Sequence, residues 1–247
     1  MDNFSQINGL GADSIESGLK QHLVKVFGWM FLGLLVTTIT ALFLNFGILT
    51  GQTISYNIVN SYGMLLIFEV IVVFALSFAR NKISSFVAGA LFFLYAILNG
   101  LTIGSIVLAY SYDSITGAFS PVAVQAFGLA TLTFGIMAVY GYFTKANLMS
   151  LSKYLFVGLI MLLVTTFLNI FVFKSGALDY FITLAGLFLF IGITAWDVQR
   201  IKKEYIYYTS SGNSEALKKA SILSALSLYL DFINIFLYIL RLGSRNN

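Results

Sequence analysis

Long apolar runs separated by short polar links set the pattern of this sequence. Seven of the runs are long enough to cross about 30 Å of hydrocarbon as helices. The predicted spans are residues 23–49, 58–79, 83–110, 121–143, 154–173, 179–199 and 221–240. The longest polar link, 201–220, is too short for a soluble domain. The pattern therefore predicts an all-α integral membrane protein with seven transmembrane helices.

The polar ends divide the chain into three parts. We expect a polar N-terminal arm over residues 1–22, disordered or interfacial, a transmembrane domain over 23–241 and a short tail over 242–247. Composition agrees with a membrane protein, because 59% of the residues are hydrophobic and only 10% are charged, against about 25% charged in globular domains. The one histidine, His22, falls in the arm and is expected to be solvated. With no cysteine, the chain offers no thiolate or histidine set for a zinc site or a catalytic triad.

Basic residues favour one orientation of the seven spans. Eleven of the fourteen fall on one side of the predicted membrane: Lys20, Lys25, Arg80, Lys82, Lys145, Lys153, Arg200, Lys202, Lys203, Lys218 and Lys219. The other side holds Lys174, Arg241 and Arg245. Because basic loops stay in the cytoplasm, the N-terminus is expected inside and the C-terminus outside. Topology explains the basic excess without a nucleic-acid partner.

Three acidic residues lie inside the apolar spans: Glu69, Asp197 and Asp231. An ionisable group at membrane depth is costly and usually faces the bundle interior or a water-filled path. The three acids are therefore candidates for function. The alternative is that each is a hydrogen-bonded structural acid near a helix end, and this alternative is strongest for Asp197.

The last span carries a polar stripe. Its members recur at three- and four-residue steps and are Ser224, Ser227, Asp231, Asn234 and Tyr238. Residues at this spacing share one face of a helix. Because such a stripe cannot face lipid cheaply, we expect the seventh helix at the centre of the bundle, surrounded by the other six.

The rise of a helix gives a first estimate of depth. Glu69 and Arg80 are eleven residues apart, which places them on one face about 16 Å apart. Depth alone pairs Asp197 with Arg80 and Asp231 with Glu69, and it separates the two aspartates by about 10 Å. In the third span, the spacing of Gly100 and Gly104 favours close helix packing within the bundle over a dimer contact.

Three segments resemble the transmembrane Bax inhibitor family, in its bacterial type. They are ALSLYLDFINIFLYILRL (225–242), AWDVQRIKK (195–203) and IFEVIVVFAL (67–76), and the resemblance extends over the chain from about residue 20. It implies a seven-helix fold with the seventh helix central and a calcium leak that responds to pH. By the same resemblance, Asp197 and Asp231 form the hydrogen-bonded sensor pair. Glu69 belongs to the pore and Arg80 is the basic residue that ends the second helix.

These residues suggest a proton-gated cation path. Two carboxylates close together in a low dielectric cannot both ionise cheaply, so the pair is expected to share a proton and to join its helices. Loss of that proton would release Asp197 toward Arg80. Glu69, Asp231 and Asn234 are expected to line the path. The three carboxylates would bind calcium, the permeant ion, only weakly and transiently, and no cofactor is expected.

Two other functions compete with conduction. The protein could be a non-conducting regulator that binds a membrane protease or factors of cell death and stress. An intramembrane aspartyl protease is disfavoured, because AWDV and YLDF lack the motifs of that class, and no enzyme activity is expected. The remaining expected partners are lipid, calcium and protons, with the chain a monomer or weak oligomer in a plasma (inner) membrane.

The orientation can be tested by labelling, because the chain has no native cysteine. Ser114→Cys lies in the link expected outside, and Ser211→Cys in the link expected in the cytoplasm. A membrane-impermeant maleimide should label the two variants from opposite sides of sealed vesicles. Labelling from the same side would contradict the assigned topology.

Overall fold

The described part of the chain is almost entirely helical. The computed structural model describes the backbone of residues 2–78, 82–111, 121–210 and 212–245, with side chains from residue 15 onward except at 77–81, 111–120, 211 and 246–247. The α-helices are α1 (Asp2–Leu49), α2 (Thr53–Asn60), α3 (Tyr62–Phe78), α4 (Ser85–Ser111), α5 (Val122–Phe143), α6 (Ser152–Leu168), α7 (Gly176–Ser210) and α8 (Ser214–Gly243). A 3₁₀ turn (Leu148–Leu151) precedes α6 and a π turn (Asn169–Phe173) follows it.

The helices agree with the multi-pass arrangement that the hydropathy pattern predicts. Six are long and apolar enough to cross a membrane, namely all except α2 and α3. Helices α2 and α3, which are separated at Ser61 and bent by 68°, make a seventh if the pair is counted as one span. The second predicted span is therefore a bent pair rather than one straight helix. The prediction of an all-α multi-pass membrane protein is confirmed.

Two polar segments are more helical than expected. Helix α1 begins at Asp2, so the arm, over its described residues 2–22, continues into the first span instead of forming a disordered lead. The link over 201–220 is also mostly helix, since α7 extends to Ser210 and α8 starts at Ser214. Gly212 lies in the turn with φ 66°, a conformation that glycine adopts without strain, and the Asn213 side chain caps α8.

Helix α8 is at the centre of the bundle, as the polar stripe predicts. In the most apolar 18-residue stretch of α8, 61% of the residues are buried, against 11–44% in the other five continuous spans. Helices α1, α4, α5 and α7 pack on α8, whereas α3 packs mainly on α4 and α6 mainly on α7. The surrounding ring is thus four helices rather than six.

The two ends of the bundle differ in charge. At the basic end, Lys202 Nζ donates to the Tyr142 carbonyl (2.7 Å) and Lys219 Nζ to the Ile83 carbonyl (3.0 Å). At the opposite end, Asp179 at the start of α7 pairs with Arg241 (2.9 Å) and Arg245 at the end of α8. Because its two ends contact these two regions, α8 runs from one end of the bundle to the other.

His22 is buried at the basic end, so its expected solvation is wrong. The side chain is 4% exposed. Its Nδ1 is 3.2 Å from the Ser221 hydroxyl of α8, and its ring centroid is 5.2 Å from that of Tyr205 in α7. Polarity of the surrounding sequence suggested solvent, but the continuous helix α1 turns this face toward the bundle.

Gly100 and Gly104 allow α4 to approach α1 closely. A Cβ added to Gly100 would lie 2.7 Å from the Thr37 carbonyl oxygen, and one added to Gly104 would lie 3.1 Å from the Ala41 Cα. Both glycines therefore serve packing within the chain, as predicted.

Gly100→Ala should destabilise the bundle, because the added methyl group meets the backbone of α1. Overpacking of this kind costs about 1–3 kcal/mol. Gly135→Ala is the matched control, since nothing lies within 4 Å of its added Cβ, and a helical alanine gains up to about 1 kcal/mol. Thermal unfolding in detergent should show opposite shifts for the two variants. Equal shifts would contradict the close approach of α1 and α4.

Candidate functional site

Asp197 and Asp231 meet between α7 and α8, within hydrogen-bonding reach of each other. Both side chains are buried, at 4% and 3% exposure. The two residues lie at similar distances, about 15 and 19 residues, from the turn at Gly212, so the antiparallel helices bring them to nearly the same level. The expected depth difference of about 10 Å is wrong, because it assumed that α7 and α8 end at the edges of the apolar runs.

Arg200 completes this site, which we call the aspartate site: Asp197, Arg200 and Asp231. Its Nη2 is 2.6 Å from Asp197 Oδ1 and donates to the Ser227 hydroxyl at 3.0 Å. The guanidinium also lies 5.1 Å from the centre of the Trp196 ring, a cation–π distance. The sequence suggested Arg80 as the partner of Asp197, but Arg80 lies outside the described residues. The i, i+3 spacing of Asp197 and Arg200 was the signal for this pair.

The charges of the aspartate site determine how many protons it holds when neutral. Arg200 offsets one carboxylate, so the buried site is neutral when the two carboxyl groups hold one proton between them. Asp231 Oδ2 is buried and has no hydrogen-bond partner among the described residues. A second buried carboxylate without a counter-ion is costly. The geometry therefore favours a state with one proton on the pair.

A cavity of about 200 Å³ lies beside the aspartate site. Helices α3, α7 and α8 enclose it, and its lining is Val73, Leu76, Arg200, Glu204, Leu223, Ser224, Leu226, Ser227 and Leu230. The cavity exists because α3 packs on α4 and leaves a gap toward α8. At about 30 Å³ per molecule it has room for roughly six waters. Water in this cavity would reach the guanidinium of Arg200 and the polar stripe of α8.

Glu69 belongs to a second polar group. It accepts hydrogen bonds from Thr102 and from Asn99 Nδ2 (3.2 Å). The Tyr229 hydroxyl donates to Asn99 Oδ1 (3.0 Å) and lies 2.7 Å from the Thr37 hydroxyl. We call these five residues the Glu69 cluster. It ties α3 and α4 to α1 and α8, and all five side chains are buried.

The two polar groups are separate, so the depth-based pairing of Asp231 with Glu69 is wrong. Each acid has other partners. Glu69 accepts hydrogen bonds from Asn99 and Thr102 of α4, and Asp231 meets the carboxyl group of Asp197. Within the described residues, no group of three or more His, Cys, Asp or Glu side chains could hold a metal ion. Glu69, Asp197 and Asp231 thus do not converge on one calcium site. Asn234 donates its amide to the Leu230 carbonyl of its own helix (2.8 Å), and its place in a cation path stays a prediction.

Comparison with known proteins identifies relatives over nearly the whole chain. A family model described as "Inhibitor of apoptosis-promoting Bax1" matches residues 19–247. Inner membrane protein YbhL of Escherichia coli K12 is 38% identical, with 99% of this chain and 100% of the relative covered. An uncharacterized protein of Borreliella burgdorferi is 38% identical over 92% of this chain and 93% of the relative. An uncharacterized membrane protein of Streptococcus pyogenes is 31% identical over 93% and 95%.

Arg200→Gln should destabilise the protein more at pH 8 than at pH 5. Removing one partner of a buried ion pair costs about 3 kcal/mol, because the other charge stays buried. At low pH a proton can neutralise Asp197 instead, so the loss should shrink. Thermal unfolding in detergent at both pH values measures the effect.

Lys203→Gln is the control for this variant, because it removes an exposed positive charge from the same helix and should change stability by less than about 1 kcal/mol. A loss for Arg200→Gln that is equal at the two pH values would contradict the charge balance of the aspartate site.

Proposed function

The chain belongs to the Bax inhibitor family, and we propose that it is a pH-sensitive calcium leak channel gated by the proton of the aspartate site. The observation that carries this proposal is the buried contact of Asp197 with Asp231 beside a water-sized cavity. Two acids and one arginine in an apolar bundle form a site whose charge depends on one proton. Such a site can convert pH into a force between two helices.

The neutral site favours the closed arrangement. With one proton, the carboxyl pair shares a hydrogen bond and Arg200 balances the remaining charge, so α7 and α8 are held together. Loss of the proton leaves two carboxylates against one guanidinium. Like charges in a low dielectric repel strongly, and separation toward the cavity lets water solvate them. Leak should therefore increase as the pair loses its proton.

The cation path is proposed to use both polar groups. The cavity provides oxygen atoms of Ser224, Ser227 and Glu204 near the basic end, and Glu69 provides a carboxylate farther along the bundle. Carboxylate oxygens and water molecules are ligands that calcium takes, and the hydroxyl groups can orient water in the cavity. Because the two groups are separate, each can bind a passing ion only weakly, which suits conduction better than storage.

Location follows from the relatives and from the charge pattern. Escherichia coli YbhL is described as an inner membrane protein, and we assign this chain to the same kind of membrane. The basic end is then cytoplasmic by the positive-inside rule. In this orientation the aspartate site responds to the pH of the cytoplasm, since its cavity lies near that end.

Calcium flux into liposomes containing only this protein tests the proposal between pH 5 and pH 8. Asp197→Asn and Asp231→Asn should each flatten the pH dependence, because a coupled pair titrates as a unit. Glu69→Gln should lower flux at every pH and leave the midpoint nearly unchanged, because Glu69 lies outside the aspartate site. Each of these variants replaces a carboxyl group with an amide of nearly the same size. A change in flux can therefore be assigned to the lost charge and not to altered packing.

Empty liposomes and Lys203→Gln are the controls for this experiment. If both aspartate variants keep the parental pH profile, the gate is assigned to the wrong residues. If the parental protein shows no flux and a stoichiometric membrane protein co-purifies with it, the non-conducting regulator replaces the channel.

A further inference from the structure

A long groove opens from the side of the bundle toward the surrounding lipid. Helices α1 and α5 form its walls, α4 and α8 form its floor, and its volume is about 570 Å³. Thirteen of its sixteen lining residues are apolar; the others are Thr37, Thr38 and Asn45. Wall residues such as Leu42, Phe46 and Val124 are 63–77% exposed. The groove therefore lies at the bilayer-facing surface and not in the interior of the bundle.

The dimensions of the groove distinguish between possible occupants. Along α1 it runs from Leu34 to Leu49, about 22 Å at 1.5 Å per residue. This is half the thickness of a bilayer with its headgroups, which is about 40–45 Å. With the radius of a water molecule, about 1.4 Å, added on each side, this volume and length correspond to a groove about 8–9 Å wide. A helix with side chains needs about 10–12 Å, whereas carbon atoms pack at about 4 Å.

We infer that the groove binds one acyl chain of a membrane phospholipid. The headgroup lies near Leu49, at the end of the bundle opposite the basic end. The acyl chain runs from there into the membrane toward Leu34. One polar feature agrees with this direction: Asn45 is 9% exposed, and its Oδ1 is buried without a hydrogen-bond partner among the described residues. Asn45 lies about 6 Å from the end of α1, so its amide places a polar lining residue close to the headgroup end of the groove. This site does not depend on the proposed conduction.

The inner part of the groove adjoins the Glu69 cluster. Thr37 lines the groove, and its hydroxyl contacts Tyr229, which in turn donates to Asn99. Phe232, three residues after Tyr229 on α8, belongs to the floor. A bound acyl chain therefore packs against the helices that hold this cluster together and excludes water from its lipid-facing side.

Photo-crosslinking tests the site on the full-length protein in liposomes. The probe is phosphatidylethanolamine with a diazirine near the terminal methyl of one chain, and adducts are mapped by mass spectrometry. The unsubstituted protein should carry most adducts on α1 near Thr38 and on α8 near Phe232. Excess unlabelled phosphatidylethanolamine should compete with them.

Two variants fill the groove and one serves as a matched control. Ala41→Trp and Ala123→Trp place a large side chain on lining positions and should lower labelling of the groove about tenfold, because displacing even two buried methylenes costs that much. Ala90→Trp, on an exposed face of α4 outside the groove, should leave labelling unchanged. Labelling spread evenly over the lipid-facing helices, or unaffected by either groove variant, would overturn the inference. The adduct map of the unsubstituted protein decides the matter if both groove variants fail to fold.

A protein occupant would give a different result. Leu42→Cys lies on the groove wall, and efficient disulfide formation between two copies in liposomes would assign the groove to a helix of a second chain. That outcome would also overturn the lipid site. If Leu42→Cys stays monomeric and the groove is labelled by the lipid probe, the lipid site is supported.

Discussion

The contact of two buried carboxyl groups with one guanidinium imposes a constraint on the whole bundle. Asp197 and Asp231 are buried, whereas Arg200 borders the cavity, and a net charge on the two buried carboxyl groups is costly. The site is neutral when the two carboxyl groups hold one proton between them. In the proposed mechanism, the packing of α7 on α8 and the charge of the protein interior depend on that proton.

Helix α8 joins this site to the second polar centre. Tyr229 and Asp231 are two residues apart, which rotates their side chains by about 200° around the helix. One face of α8 consequently meets the carboxyl of Asp197 on α7, and the nearly opposite face meets Asn99 on α4 and Thr37 on α1. A helix with polar contacts on two sides can lie only inside the bundle. Helix α8 therefore connects the aspartate site with the helices that hold Glu69.

Sequence reasoning found the spans and the acids, whereas the pairing of Asp197 with Asp231 came only from the family resemblance. Hydropathy predicts seven crossings, and the spacing of polar residues on the last span places α8 at the centre. The predicted depths of Asp197 and Asp231 were wrong because α7 and α8 both extend into the polar link between them. A polar stretch of sequence does not mark where a helix ends. Burial of His22 follows from the same continuity in α1. Arg200 was detectable from its spacing to Asp197, whereas the separation of Glu69 from Asp231 depends on how α3 packs against α4, which no local pattern shows.

The proton count of the aspartate site is the most direct test of this account. Infrared spectroscopy of the protein in lipid, titrated from pH 5 to pH 8, detects the stretching band of a protonated carboxyl group. With Arg200 present, one remaining aspartate needs no proton, so Asp197→Asn and Asp231→Asn should each abolish the same band. Glu69→Gln should leave this band in place. A band that persists in both aspartate variants would contradict a shared proton balanced by Arg200.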